Sequence, residues 1–253
     1  MKLEGIKINY LYNSAFKVET SEHILIFDYY LDSVESGIKN SSNGAIDKEE
    51  LITDKKILVF CTHSHDDHYN DVILSWSEIN PNIRYILSND IEVCFKRENI
   101  YKISVYDEFK LQDVYIKAFS STDIGISFLV KVDNYVIFHA GDLNWWNWYD
   151  ESQEYNENQE IVYKNEIEKI KKEKIDVAFF PVDSRLKDSY DLGAEYFVKE
   201  VKPKVLIPMH FREDYYITKE FKNKNAHLKT VIYEITKRGE EIRVTNIDKD
   251  LHK

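Results

Sequence analysis

The 253-residue chain carries 34 Lys and Arg against 45 Asp and Glu, a formal charge of −11, with 43% hydrophobic and 14% aromatic residues. That excludes a disordered chain and argues against nucleic acid as partner, because gripping a phosphate backbone needs clustered cations. Two Cys exclude a disulfide framework and a four-Cys zinc site, and no apolar run reaches the ~20 residues of a membrane span. The opening MKLEGIKINY lacks the apolar core and cleavage site of a secretory signal, so the expected location is the cytoplasm, away from membrane. The length suits one domain over residues 1–253.

Ile6–Tyr10, Ala15–Glu19 and His23–Asp28 read as strands, broken at Asn13-Ser14 and Ser21-Glu22. Residues 31–54 are polar and read as a long surface excursion. Lys56–Cys61 (KILVFC) is continuously apolar, the pattern of a buried strand. Residues 70–80 read as a helix with Val72, Ile73 and Trp76 on one face, Asn82–Ser88 as a strand, and Asp90–Glu98 as a short helix capped by Asp90. Val114–Phe119, Ile126–Val132 and Tyr135–His139 read as strands, the last two joined by an Asp133-Asn134 hairpin turn. Residues 143–158 are irregular, aromatic and acidic. Gln159–Lys172 reads as a helix with Ile161, Ile167 and Ile170 in period, followed by strand Ile175–Pro181, helix Leu192–Val201 and strand Lys204–Met209. A short helix at Thr218–Asn223 and strands Thr230–Ile235 and Glu241–Thr245 complete the order. Both halves run strands first, then strand and helix alternating, which predicts an α/β fold of two packed sheets with helices outside.

Three of the eight His fall in His63-Ser64-His65-Asp66-Asp67-His68, directly after the apolar strand. In extended backbone, residues two apart point the same way, so His63 and His65 can reach one ion. Where the chain turns into the next helix, Asp67 and His68 can swing to a second. Imidazole and carboxylate suit zinc, iron or manganese, and two ions ~3.5–4 Å apart form a hydrolytic clamp.

The chain here resembles the metallo-β-lactamase superfamily, whose H-x-H-x-D-H hallmark is matched by His63, His65, Asp67 and His68. His139-Ala140-Gly141-Asp142 resembles the family's Gly-Asp segment, and Lys204–His210 (KVLIPMH) resembles its last metal-binding His. The details look most like the branch containing ascorbate-6-phosphate lactonase. The resemblance implies an αββα sandwich, two mixed β-sheets flanked by helices, with two divalent metal ions at one edge. Zinc is expected, with manganese or iron as alternatives. It implies that His63 and His65 hold the first metal, that Asp67, His68 and His210 hold the second, and that Asp142 bridges. It also implies a hydrolase acting on a small-molecule ester, lactone or phosphoester through a metal-activated hydroxide, with Asp67 orienting the nucleophile and carrying its proton. A nuclease or phosphodiesterase of the same superfamily and a non-catalytic metal-binding module are the alternatives.

Two departures stand out. The family supplies a third His to the first metal from mid-chain, yet no His lies between 68 and 139. Asp123 is the substitute the sequence offers, or else a turn residue before Gly125. Related hydrolases often carry His-Ser in the first hairpin; here it is Asn13-Ser14, and Asn cannot transfer a proton at neutral pH. Among the remaining residues, His139 is a ligand-orienting residue or a core His. Trp145, with Trp146 and Trp148, walls an apolar substrate pocket, or forms a satellite core or a dimer contact. Arg185 binds a substrate carboxylate or phosphate, or makes a surface salt bridge. The oligomeric state is left open, a homo-oligomer included.

Overall fold

In the computed structural model, residues 5–94 and 97–245 are described. The chain divides into two compact units, one running to Lys102 and resuming at Lys237, the other Ile103–Thr236.

The first unit is built on a seven-stranded sheet. Its strands are β1 (Ile6–Tyr12), β2 (Ala15–Glu19), β3 (His23–Phe27), β4 (Lys56–Cys61), β5 (Arg84–Ser88), β6 (Ile100–Ile103) and the late β14 (Glu241–Val244). Their spatial order is β14-β1-β2-β3-β4-β5-β6. The first three strands and β14 pair antiparallel, whereas β3, β4 and β5 run parallel. The apolar run 57–61 is buried at every position, as its lack of alternation implies. Val59, Cys61, Tyr85 and Leu87 share a core cluster with Ile73 and Trp76.

The expected helix at 70–80 is a single α-helical turn, α1 (Val72–Ser75), continued as a 3₁₀ turn through Glu78. Asp90–Glu98 does not form the expected helix in its described residues. The Asp90 side chain accepts the Ser64 N–H at 2.8 Å instead of capping a helix. Residues 31–54 are less of a surface loop than their polarity suggests, since residues 44–46 are buried. Glu50 anchors them by accepting from Lys17 Nζ at 2.7 Å and from the N–H groups of Ser41 and Asp47. Arg238 closes over the same loop, donating to the carbonyls of Leu11 and Gly44.

Burial alone would raise the Glu50 carboxyl, but the bonds from Lys17 and Ser41 outweigh it and lower it below 4.5. A depressed carboxylate contributes stability above its unfolded value and loses it as the pH falls through the folded one. The parent is therefore expected to exceed Glu50→Gln by about 1–2 kcal/mol near pH 7. The gap should close below about pH 4.5, read as urea midpoints across pH 3–7. A gap constant with pH would contradict the assignment.

The second unit repeats the plan with β7 (Glu108–Leu111), β8 (Val114–Ser120), β9 (Ile126–Val132), β10 (Tyr135–His139), β11 (Val177–Pro181), β12 (Val205–Met209) and β13 (Val231–Ile232). Strands β7 to β10 form an antiparallel meander, and β10 to β13 run parallel. Asp133 and Asn134 both take positive φ, as a two-residue hairpin turn demands. Helix α2 spans Gln153–Ile170 and starts six residues earlier than expected, with Ser152 accepting the Tyr155 N–H. Its buried face carries Tyr163, Ile167 and Ile170, while Ile161 is exposed. Six residues advance an α-helix by ~240°, so Ile161 and Ile167 face different ways. Helices α3 (Leu192–Val201) and α4 (Tyr216–Lys224) follow. Among the described residues, no helix is long and apolar enough to cross a membrane.

Candidate functional site

Parallel strands present their C-terminal ends along one edge, where side chains are free to converge. In the first unit, Asp28 follows β3, Thr62 to His68 follow β4, and Asp90 follows β5. The hairpin turn after β1 brings Asn13 to the same edge, because β1 runs antiparallel to β2 and β2 antiparallel to β3.

Asp28 organises this group. It is fully buried at φ 45, a left-handed conformation that non-glycine residues adopt at a cost. Its carboxylate accepts the Thr62 N–H at 2.8 Å and the Thr62 hydroxyl at 2.7 Å, and lies 2.7 Å from His68 Nδ1. Thr62 has one hydroxyl proton and gives it to Asp28. The 3.1 Å contact between Thr62 Oγ1 and His63 Nδ1 is therefore a bond that His63 donates. One carboxylate thus orients both rings: the Nδ1 atoms of His63 and His68 face acceptors, and in the neutral rings Nε2 is the nitrogen left to ligate. The two rings lie 4.0 Å apart, and the His63 and His65 rings 4.7 Å apart. Potential ligand atoms of His63 and His68 are within 4.8 Å of each other, as are those of Asp67 and His68. His65 and Asp66 are exposed, and Asp90 holds the turn between His63 and His65 through Ser64.

The second unit has a matching edge. Asp142 follows β10, Asp183 follows β11 and His210 follows β12. Gly141 turns the chain at φ 55, and its N–H donates to His139 Nδ1 at 3.2 Å, so His139 is a buried strand residue that holds the Gly141-Asp142 turn. Asp183 stands to His210 as Asp28 stands to His68, with its Oδ2 2.9 Å from His210 Nδ1. Burial would raise the Asp183 carboxyl, but hydrogen bonds from His210 and Arg185 outweigh it and hold it down at about 2. An ionised Asp183 only accepts, so His210 Nδ1 donates, and in the neutral ring Nε2 is the nitrogen left to ligate. That atom lies 3.4 Å from Asp142 Oδ1. An imidazole held by one carboxylate through Nδ1, with a second carboxylate at this distance from Nε2, is donor chemistry that fits a divalent cation.

Asp123 is exposed, with a carboxylate oxygen within 4.8 Å of one on Asp142. Thr122 fixes its loop by donating to the Asn144 carbonyl at 2.6 Å and accepting the Asn144 N–H at 2.9 Å. Trp145 is not beside His210. It packs against Tyr163 and Tyr196 with Lys164 over its ring. Trp146 is the ring beside His210, at 5.6 Å, and its Nε1 donates to the Asp142 carbonyl. Arg185 is engaged with Asp183 and lies 5.6 Å from the Trp148 ring. Cys61 is buried, and burial pushes its thiol up, away from reactivity.

Asp28, Thr62, Asp90 and Asp183 were not singled out from the sequence as site residues. A signal for three of them existed: apolar strands end in Phe27-Asp28, Ser88-Asn89-Asp90 and Val182-Asp183, just as others end in His63, Asp142 and His210.

Residues 7–210 match the family described as Beta-lactamase superfamily domain, and the chain belongs to that superfamily, with its metallo-β-lactamase fold. A UPF0173 metal-dependent hydrolase of Thermococcus kodakarensis is 25% identical over 222 residues, covering 81% of this chain and 84% of that one. A protein of the same description from Pyrococcus furiosus is 26% identical over 223 residues, with 81% and 84% coverage. Among solved structures, Igni18, a metallo hydrolase of Ignicoccus hospitalis, superimposes with a TM-score of 0.63 at 17% identity, covering 94% of this chain and 98% of that one. The fold is also shared with CmlA, a diiron β-hydroxylase of Streptomyces venezuelae, at a TM-score of 0.57 and 11% identity, over 96% of this chain and 55% of that one.

Proposed function

We propose that the chain is a metal-dependent hydrolase of a small-molecule ester, lactone or phosphoester. In this reading His63, His65, Asp67 and His68 act with Asp142, His210 and Asp123 on two divalent ions, zinc first among the candidates. The observation that carries it is the pair of carboxylate–imidazole couples, Asp28–His68 and Asp183–His210, each of which engages Nδ1 and leaves Nε2 as the ring's ligand atom. Curated relatives described as metal-dependent hydrolases support the same reading.

A divalent ion held by these residues would supply Lewis acidity, acidifying water and polarising the bond to be cleaved. The chain's own groups do the rest. Asp67 orients the attacking water and takes its proton. Asp28 and Asp183 keep the imidazoles in one tautomer. Trp146 gives an apolar wall beside His210, and Arg185 offers a cation for an anionic substituent. The charge of −11 disfavours a long polyanion as substrate and leaves small anions open.

Turnover of p-nitrophenyl acetate, a γ-lactone and bis(p-nitrophenyl) phosphate should be measured before chelation, after it, and after adding back Zn²⁺ or Mn²⁺. At least one activity is expected to fall more than ~100-fold on chelation and to return with metal. Full turnover by protein shown to be metal-free would refute the reading.

A further inference from the structure

Asn13 stands where related hydrolases often carry His, and the reading above gives it no role. It is fully buried in the turn between β1 and β2, at φ 52. Its backbone N–H donates to the Tyr10 hydroxyl at 2.9 Å, which fixes the turn from beneath. Its side-chain Nδ2 donates to Asp67 Oδ2 at 3.3 Å. A carboxylate only accepts, so the amide is oriented with its nitrogen toward Asp67 and its oxygen away. That oxygen, Oδ1, is buried and has no hydrogen-bond partner among the described residues. Burying an amide oxygen without a donor is costly, and a bound donor removes that cost.

We propose that Asn13 is a two-armed positioning residue: Nδ2 holds the Asp67 carboxylate in its ligand orientation, and Oδ1 accepts a hydrogen bond from a water molecule in the site. An imidazole at this place could exchange a proton near neutral pH, whereas the amide offers one donor and one acceptor and moves no proton. The inference rests on the metal reading above.

The test needs a variant that removes the amide but keeps the turn. Asn13→Gly does this, because glycine adopts positive φ freely. Parent and variant are stripped with chelator, compared by thermal melting, and titrated with Zn²⁺ by calorimetry. The variant is expected to melt within a few degrees of the parent and to bind Zn²⁺ about 10–100-fold more weakly. Asn13→Asp keeps the shape but sets a second, buried carboxylate against Asp67 in place of the donor, so the metal-stripped variant is expected to melt below the parent and its Zn²⁺ affinity to depart from the parent's. A crystal structure of the Zn²⁺-loaded parent is expected to place a water within ~3.2 Å of Oδ1. Parental Zn²⁺ affinity in a folded Asn13→Gly would overturn the Nδ2 arm, and an Oδ1 facing only carbon would overturn the other. If Asn13→Gly does not fold, the Asn13→Asp titration decides the Nδ2 arm. A parent that binds no Zn²⁺ would overturn the metal reading and this inference with it.

Discussion

Asp142→Ala is expected to lose more than ~100-fold in turnover and to bind less metal per chain than the parent. The magnitude follows from a comparison: removing groups that only orient a metal ligand costs about 10–100-fold, and removing the ligand itself should cost more. Asp142 is almost fully buried, and its Oδ1 faces His210 Nε2. Substitution should leave the local fold in place, because the bond from Trp146 goes to the Asp142 backbone carbonyl and survives. Asp142→Asn tests the role of charge at nearly constant shape. Turnover on the best probe substrate and metal content by mass spectrometry are the measurements. Parental metal content in Asp142→Ala would remove Asp142 from the ligand set.

Asp28→Ala should have the largest effect on stability. It strands the Thr62 N–H, the Thr62 hydroxyl and His68 Nδ1 in a fully buried place, and it puts alanine at φ 45. Each stranded donor costs ~1–3 kcal/mol without strict additivity, so a loss of about 3–5 kcal/mol is expected in urea unfolding of metal-stripped protein. Asp28→Asn separates folding from the site. Its amide oxygen can still accept the Thr62 N–H, but its NH₂ now faces His68 Nδ1 and donates to it. The proton on His68 then moves to Nε2, which can no longer ligate. That variant should keep most of its stability while its Zn²⁺ affinity falls about 10–100-fold. Equal losses in both measurements would mean that Asp28 serves the fold alone.

Much of the fold was legible because it is written in local pattern. Strands β2 and β4 and helix α3 lie where apolar runs and their breaks place them. Several differences share a cause, which is that polar residues pattern as surface or caps. Asp90 looks like a helix cap and instead holds the turn of the His motif. Ser152 is a true cap, but the aromatic, acidic stretch around it hid the first six residues of α2. The alternating EFKL of β7 was passed over beside the stronger β8. At the site, the His-rich motif was plain because its members are adjacent in sequence. Asp28 and Asp183 were not, since each meets its imidazole only through strand pairing across 40 and 27 positions. No local pattern encodes that distance.

Strand β14 completes the first unit's sheet by pairing Ile6 with Val244 and Asn9 with Glu241. During synthesis, β1 leaves the ribosome well ahead of its outer neighbour β14, by about tens of seconds at ordinary elongation rates. The Ile103–Thr236 unit draws all its strands from one continuous stretch and can complete itself earlier. Meanwhile the outer edge of β1, with the apolar sequence IKINYLY, stays an open template for unwanted strand pairing. Closing a loop this long is slow compared with forming local contacts. The unit that bears the three-His motif is therefore expected to gain its native rigidity later than the Ile103–Thr236 unit, and the outer edge of β1 is exposed to aggregation until β14 arrives.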